Sequence, residues 1–128
     1  MHLSTITLAF LGITYQQVSL SESDNSLSCT PGETLTLRVA SNATTGYLWY
    51  LEVQEGALGL LLNGDTGDYV EESRDDGMVG VGGYQDFNIQ CSGNALPGDI
   101  YTFSVLHKRP WEDSPIDSRS VTITVKSS

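Results

Sequence analysis

The chain has 128 residues, room for one domain with a single core. It carries 16 acidic against 6 basic residues, a net charge of −10. A nucleic-acid partner is excluded by that balance, because neutralising phosphates takes a basic face, whereas solubility and attraction to basic partners are favoured.

The first charged side chain after the amino terminus is Glu22. Ahead of it, Leu3 to Ile13 is mostly apolar and too short to span a bilayer. It is similar to the h-region of a secretory signal peptide, although no Lys or Arg precedes it and no clear A-x-A site follows. Residues 1–16 are therefore expected to be a signal peptide, cleaved between Gly12 and Gln17, and 17–128 the mature domain; an extra N-terminal strand is the competing reading. A real signal peptide implies the secretory pathway, secreted or vesicular; without one the protein is cytoplasmic.

From there on, apolar and polar residues alternate as half-buried strands require. Val18, Leu20, Leu27 and Cys29 mark a broken first strand, and Pro31-Gly32 turns the chain. Leu35, Leu37 and Val39 share one face, and so do Tyr47, Trp49, Leu51 and Val53 after the next connection. Leu58 to Leu62 reads as a strand or a short buried turn, and Tyr69-Val70 belongs to a fourth strand. Phe87, Ile89 and Cys91 form the next stripe, then Tyr101, Phe103 and Val105, and last Val121, Ile123 and Val125. No segment shows a helical period. About seven to eight short strands separated by turn signals predict an all-β, immunoglobulin-like sandwich.

In antiparallel succession, connections alternate between the two ends of the domain. Asn42-Ala43-Thr44-Thr45-Gly46, Gly80-Val81-Gly82-Gly83 and Arg109-Pro110-Trp111 occupy alternate connections, so all three are expected on one rim. Cys29 and Cys91 precede connections of the other parity and share faces with core residues. They are placed at the far end, where a disulfide is plausible and would add about 3–5 kcal/mol. Two buried free thiols remain the alternative.

Singly, each rim segment reads as an ordinary turn, a mobile glycine loop or a Trp folded onto its own sandwich. Their joint order is more specific. The succession N-x-T-T-G-Y, then G-x-G-G, then R-P-W resembles the chagasin family, protein inhibitors of papain-like cysteine peptidases with an immunoglobulin-like fold. The resemblance runs from about Val18 to Lys126. It implies that Thr44, Thr45 and Gly46, flanked by Asn42 and Tyr47, form a loop entering the peptidase cleft. Gly80, Val81, Gly82 and Gly83 would lie along the enzyme surface beside it, and Arg109, Pro110 and Trp111 would contact the other wall.

The sequence departs from the family at Ala43, where members usually carry Pro. Ala43 leaves the loop less constrained and opens an N-glycosylation sequon, Asn42-Ala43-Thr44, which Pro would have closed. A glycan there would obstruct the loop.

The resemblance thus implies a monomeric, reversible, competitive inhibitor, with papain-like cysteine peptidases as partners and neither nucleic acid nor membrane. The alternative is a secreted immunoglobulin-like binding or adhesion module without inhibitory activity. No enzyme is expected: His2 and His107 are the only histidines, and the alternation puts both cysteines away from His107. No cofactor is implied. The acidic residues Asp65, Asp68, Glu71, Glu72, Asp75 and Asp76 lack the spacing of an EF-hand loop, and a solvated loop is the simpler account.

Overall fold

The computed structural model describes residues 5–10, 13–22, 24–53, 60–71 and 82–127. Ten strands are found among them: β1 (Thr5–Phe10), β2 (Ile13–Ser19), β3 (Asn25–Cys29), β4 (Thr34–Ser41), β5 (Leu48–Val53), β6 (Leu60–Leu61), β7 (Asp68–Glu71), β8 (Gly83–Gln90), β9 (Ile100–Lys108) and β10 (Asp117–Val125). One six-stranded sheet runs β1-β2-β4-β8-β6, with β7 also paired to β8; the other is four-stranded, β3-β10-β9-β5. This is the expected all-β immunoglobulin-like sandwich.

The alternation read from sequence maps directly onto burial. Leu35, Leu37, Val39, Phe87 and Ile89 point inward from one sheet, and Trp49, Leu51, Tyr101, Phe103, Val105, Val121, Ile123 and Val125 from the other. In strand β8 the two faces alternate without a break from Gly83 to Gln90. Period-two patterning leaves a strand one way to bury its apolar set, so it also fixes pairing register. On the outer face, Arg38 forms a bidentate pair with Asp86 across β4 and β8, with Nε–Oδ1 and Nη2–Oδ2 both 2.8 Å.

The broken first strand is in fact two strands in different sheets. β2 pairs parallel with β4, while β3 pairs parallel with β10. Asn25 holds the crossover: its Oδ1 accepts from Ser21 N at 2.9 Å, and its Nδ2 donates to Ser120 O at 3.3 Å. The segment read as a signal peptide contains β1 and the start of β2, which pair as an antiparallel hairpin. Leu60-Leu61 is a two-residue strand against β8, and Tyr69 and Val70 lie in the strand β7, all four residues of which are exposed.

Cys29 and Cys91 are joined as a disulfide, with their Cα atoms 6.5 Å apart. The bridge ties the end of β3 to the residue after β8, and so one sheet to the other. Beside it, Lys126 N donates to Cys29 O and Gly32 N donates to Cys91 O, both at 2.9 Å.

Candidate functional site

Pairing register brings the three segments together. Ser41 at the end of β4 faces Gly83 at the start of β8, so the 42–47 connection and the glycines share an end. Leu48 at the start of β5 faces Lys108 at the end of β9, which brings the 109–116 connection to the same rim. Asp117, opening β10, faces His107. Gly80 and Val81 lie outside the described residues; Gly82 and Gly83 sit at the rim.

The first loop is a single 3-10 turn, Ala43–Thr45, organised by Asn42. Asn42 Oδ1 accepts from Thr44 N at 3.2 Å and from Thr44 Oγ1 at 2.6 Å. The Asn42 carbonyl accepts from Thr45 N at 3.2 Å and from Thr45 Oγ1 at 2.8 Å. Thr45 Oγ1 in turn accepts from Tyr47 N at 3.2 Å. This is the capping chemistry of a short polar side chain at a helix start, closed at the other end by Gly46 in the left-handed region at φ +83°. Thr44, Thr45 and Gly46 are exposed. Both threonine protons are committed inside the loop, so the hydroxyls offer outward only acceptor lone pairs.

Close approach constrains Gly82 and requires glycine at position 83. A Cβ on Gly82 would come within 3.2 Å of Ser41 O, and one on Gly83 would overlap the backbone of Val70 and Glu71. Gly82 therefore lies directly against the foot of the first loop, and Gly83 against β7. Between them is a cleft of about 400 Å3 lined by Ser41, Asn42, Thr45, Gly82, Tyr84 and His107, among others.

The third loop is a tight turn built on Glu112. Its N–H donates to Arg109 O at 3.0 Å and its Oε1 accepts from Arg109 N at 3.0 Å, while its carbonyl accepts from Lys108 Nζ at 3.2 Å. Pro110 is exposed within the turn, and Trp111 projects from it at 73 % exposure. Ile116, 61 % exposed, closes the loop by donating its N–H to His107 O at 2.8 Å.

A ladder of rings and cations joins the first and third loops. The Arg109 guanidinium lies 4.6 Å from the Tyr47 ring centroid and 5.9 Å from that of Trp111. Its Nε, out of solvent, meets no hydrogen-bond acceptor among the described residues, and the Tyr47 π face offsets that loss. His107 tilts against Tyr47 at 5.5 Å and stacks on Trp49 at 4.4 Å, and Arg119 lies 4.6 Å from the Trp49 ring. Burial lowers the His107 pKa; Asp117 opposes that shift and Arg119 adds to it. Tyr47 is thus half-buried between Arg109 and His107, a platform for the third loop as much as a surface of its own.

Three residues of this rim were not singled out from sequence for it: Gln85, Glu112 and His107. Gln85 is buried, 1 % exposed, on the core face of β8. Its Oε1 accepts from Ser41 Oγ at 2.8 Å and Trp49 N at 2.7 Å. Its Nε2 donates to Trp49 O at 2.9 Å and Thr66 O at 2.8 Å. The available signal was parity: Gln85 extends the Phe87–Ile89–Cys91 stripe, and a polar residue on a core stripe needs partners. Among the described residues, no group of three or more His, Cys, Asp or Glu side chains converges to hold a metal ion.

The sequence profile of the Chagasin family peptidase inhibitor I42 matches residues 28–125. No curated protein matches the chain. Among solved structures, the crystal structure of the cysteine protease inhibitor EhICP2 from Entamoeba histolytica superimposes with a TM-score of 0.68 at 18 % identity, covering 88 % of this chain and 96 % of that one. The solution structure of Amebosin superimposes with a TM-score of 0.57 at 21 % identity, covering 88 % and 96 %. At such identities the likeness is one of fold, and the profile match over most of the chain carries the assignment. The chain belongs to the chagasin family of peptidase inhibitors.

Proposed function

We propose that this protein is a reversible, competitive inhibitor of papain-family cysteine peptidases, which blocks the active-site cleft with the three rim loops. Family membership favours inhibition over an adhesion role. The observation that carries the loop assignment is the strand register, which sets Ser41 against Gly83 and Leu48 against Lys108. A papain-like cleft holds a Cys–His pair and backbone groups that receive an extended peptide. The Thr44-Thr45 turn fills such a cleft while presenting only hydroxyl acceptors and no extended scissile segment. Gly80, by the family pattern, lets backbone approach the enzyme closely, and Trp111 supplies a large apolar anchor on the far side.

No catalysis belongs to this reading. Both cysteines are consumed in the bridge at the opposite end, and the His107 ring is packed on Trp49 and Tyr47. Titration against a papain-like peptidase with a fluorogenic peptide tests the proposal. Activity should fall to zero near stoichiometry, with slopes that identify competition. Full activity at excess inhibitor would establish the binding-module alternative.

The same reading places the protein in the secretory pathway, supported by the apolar Leu3–Ile13 run and by a disulfide that suits an oxidising compartment. Cleavage between Gly12 and Gln17 would remove β1 and shorten β2, leaving β2 as the sheet edge. The mass of the native protein reports that cleavage and any glycan on Asn42; an intact, unmodified mass would overturn secretory processing.

A further inference from the structure

We infer that Gln85 is a positioning residue for the first loop, a side-chain clamp that fixes where the Thr44-Thr45 turn stands relative to both sheets. The inference rests on the inhibitor reading for its functional consequence, but its geometry is independent of it. The loop leaves the six-stranded sheet at Ser41 and enters the four-stranded sheet at Leu48. Backbone ladders hold each strand within its own sheet, and across the gap Leu51 N donates to Asp65 O at 2.7 Å, two residues further along β5 from Trp49. Gln85 crosses that gap. Its carboxamide pairs with both N and O of Trp49, as a neighbouring strand would, and the same Oε1 accepts from Ser41 Oγ on the loop's other side.

The clamp is internally complete. Both acceptor sites of Oε1 and both protons of Nε2 are used, the last by Thr66 O on the segment between β6 and β7. A fully satisfied buried carboxamide specifies one arrangement, because any other leaves a polar group buried without a partner. Trp49 passes the constraint outward: its Nε1 donates to Ala40 O at 3.0 Å, and its ring carries His107, against which Tyr47 rests. The foot of the loop is thus held at Ala40, Ser41 and Trp49, all referred to one side chain on β8.

A role confined to stability would weaken every peptidase contact alike; a role in placing the loop would not. Gln85→Met keeps the length and removes every bond. In the free protein, amide exchange in this variant should quicken at Thr45, Tyr47 and Trp49 and stay unchanged at Glu112 and Ile116. Against a papain-like peptidase, the inhibition constant should rise about tenfold or more at a temperature where the variant is fully folded. The same factor should recur in a Trp111→Ala background and nearly vanish in a Thr45→Arg background, where the loop no longer enters the cleft. An equal loss in all backgrounds, or uniform quickening of exchange, would overturn the inference in favour of a purely structural Gln85. Should Gln85→Met fail to fold, Ser41→Ala removes only the hydroxyl donor to Oε1 and is read through the same exchange and cycle. Wild-type exchange and inhibition in that variant would equally overturn it. Failure of the wild-type protein to inhibit would sink the functional reading alone, since the exchange experiment needs no peptidase.

Discussion

Trp111 stands 73 % exposed because the Arg109–Glu112 turn closes on itself and leaves the indole outside it. The Arg109 guanidinium lies 5.9 Å from the centroid of its ring. Trp111→Ala should therefore weaken peptidase binding by about 2 kcal/mol or more while leaving the melting temperature nearly unchanged. A large loss of stability would show that the indole packs into the fold. His107 is the opposite kind of residue, half-buried in the ladder with its pKa lowered by burial. The unfolded chain then binds a proton at higher pH than the folded one. Stability is full above about pH 6.5, the unfolded value, and falls as pH drops through it until the lower folded pKa is passed. Thermal melts between pH 7.5 and 5.5 should show a decline in the wild type that is reduced in His107→Phe, which keeps the stacking and does not titrate. Parallel curves would remove His107 as the source.

At the scale of elements, the first loop shows how a missing proline is made good. Ala43 opens the 3-10 turn, the position at which Pro is best tolerated, and the residue before it is the capping Asn42. Asn42 and Thr45 supply the closure instead, through bonds that link residues 42, 44, 45 and 47. Those bonds leave φ of Ala43 itself unfixed, so Ala43→Pro acts chiefly by reducing the freedom lost on binding. A gain of about 0.4–1 kcal/mol is expected, roughly a two- to fivefold lower inhibition constant, with the sequon removed at the same time. Weaker inhibition by Ala43→Pro would mean that the turn must change shape in the cleft. The third loop achieves its rigidity differently, through Glu112, whose backbone and carboxylate both bind Arg109.

For the molecule as a whole, the two ends of the sandwich divide the labour. The rim end carries the loops, and the opposite end carries the Cys29–Cys91 bridge, spanning 62 residues of sequence and tying the two sheets together. By loop-closure entropy, breaking it should cost about 4 kcal/mol of stability. Denaturant melts with and without reductant measure this. Little change in midpoint would show that the sheet-to-sheet core alone sets stability. Since the bridge is remote from the rim, inhibition by the reduced protein should persist wherever it remains folded.

Much of this was decided by local chemistry. Alternation in Leu35–Leu37–Val39, Phe87–Ile89 and Tyr101–Phe103–Val105 dictated which faces meet, because a strand has only two faces and one must leave water. Antiparallel succession then required that Thr44, Gly82 and Trp111 share a rim, with no knowledge of any contact. Other features could be settled only by the folded chain. Gln85 reads as a misplaced polar residue until Trp49, 36 positions away, presents its N–H and C=O. Likewise, the sequence has no local mark assigning β2 and β3 to different sheets, or stacking Tyr47 under Arg109. Periodicity is written in neighbouring residues and survives in one dimension; the partner of a buried carboxamide or the choice of a parallel crossover is a property of distance in space.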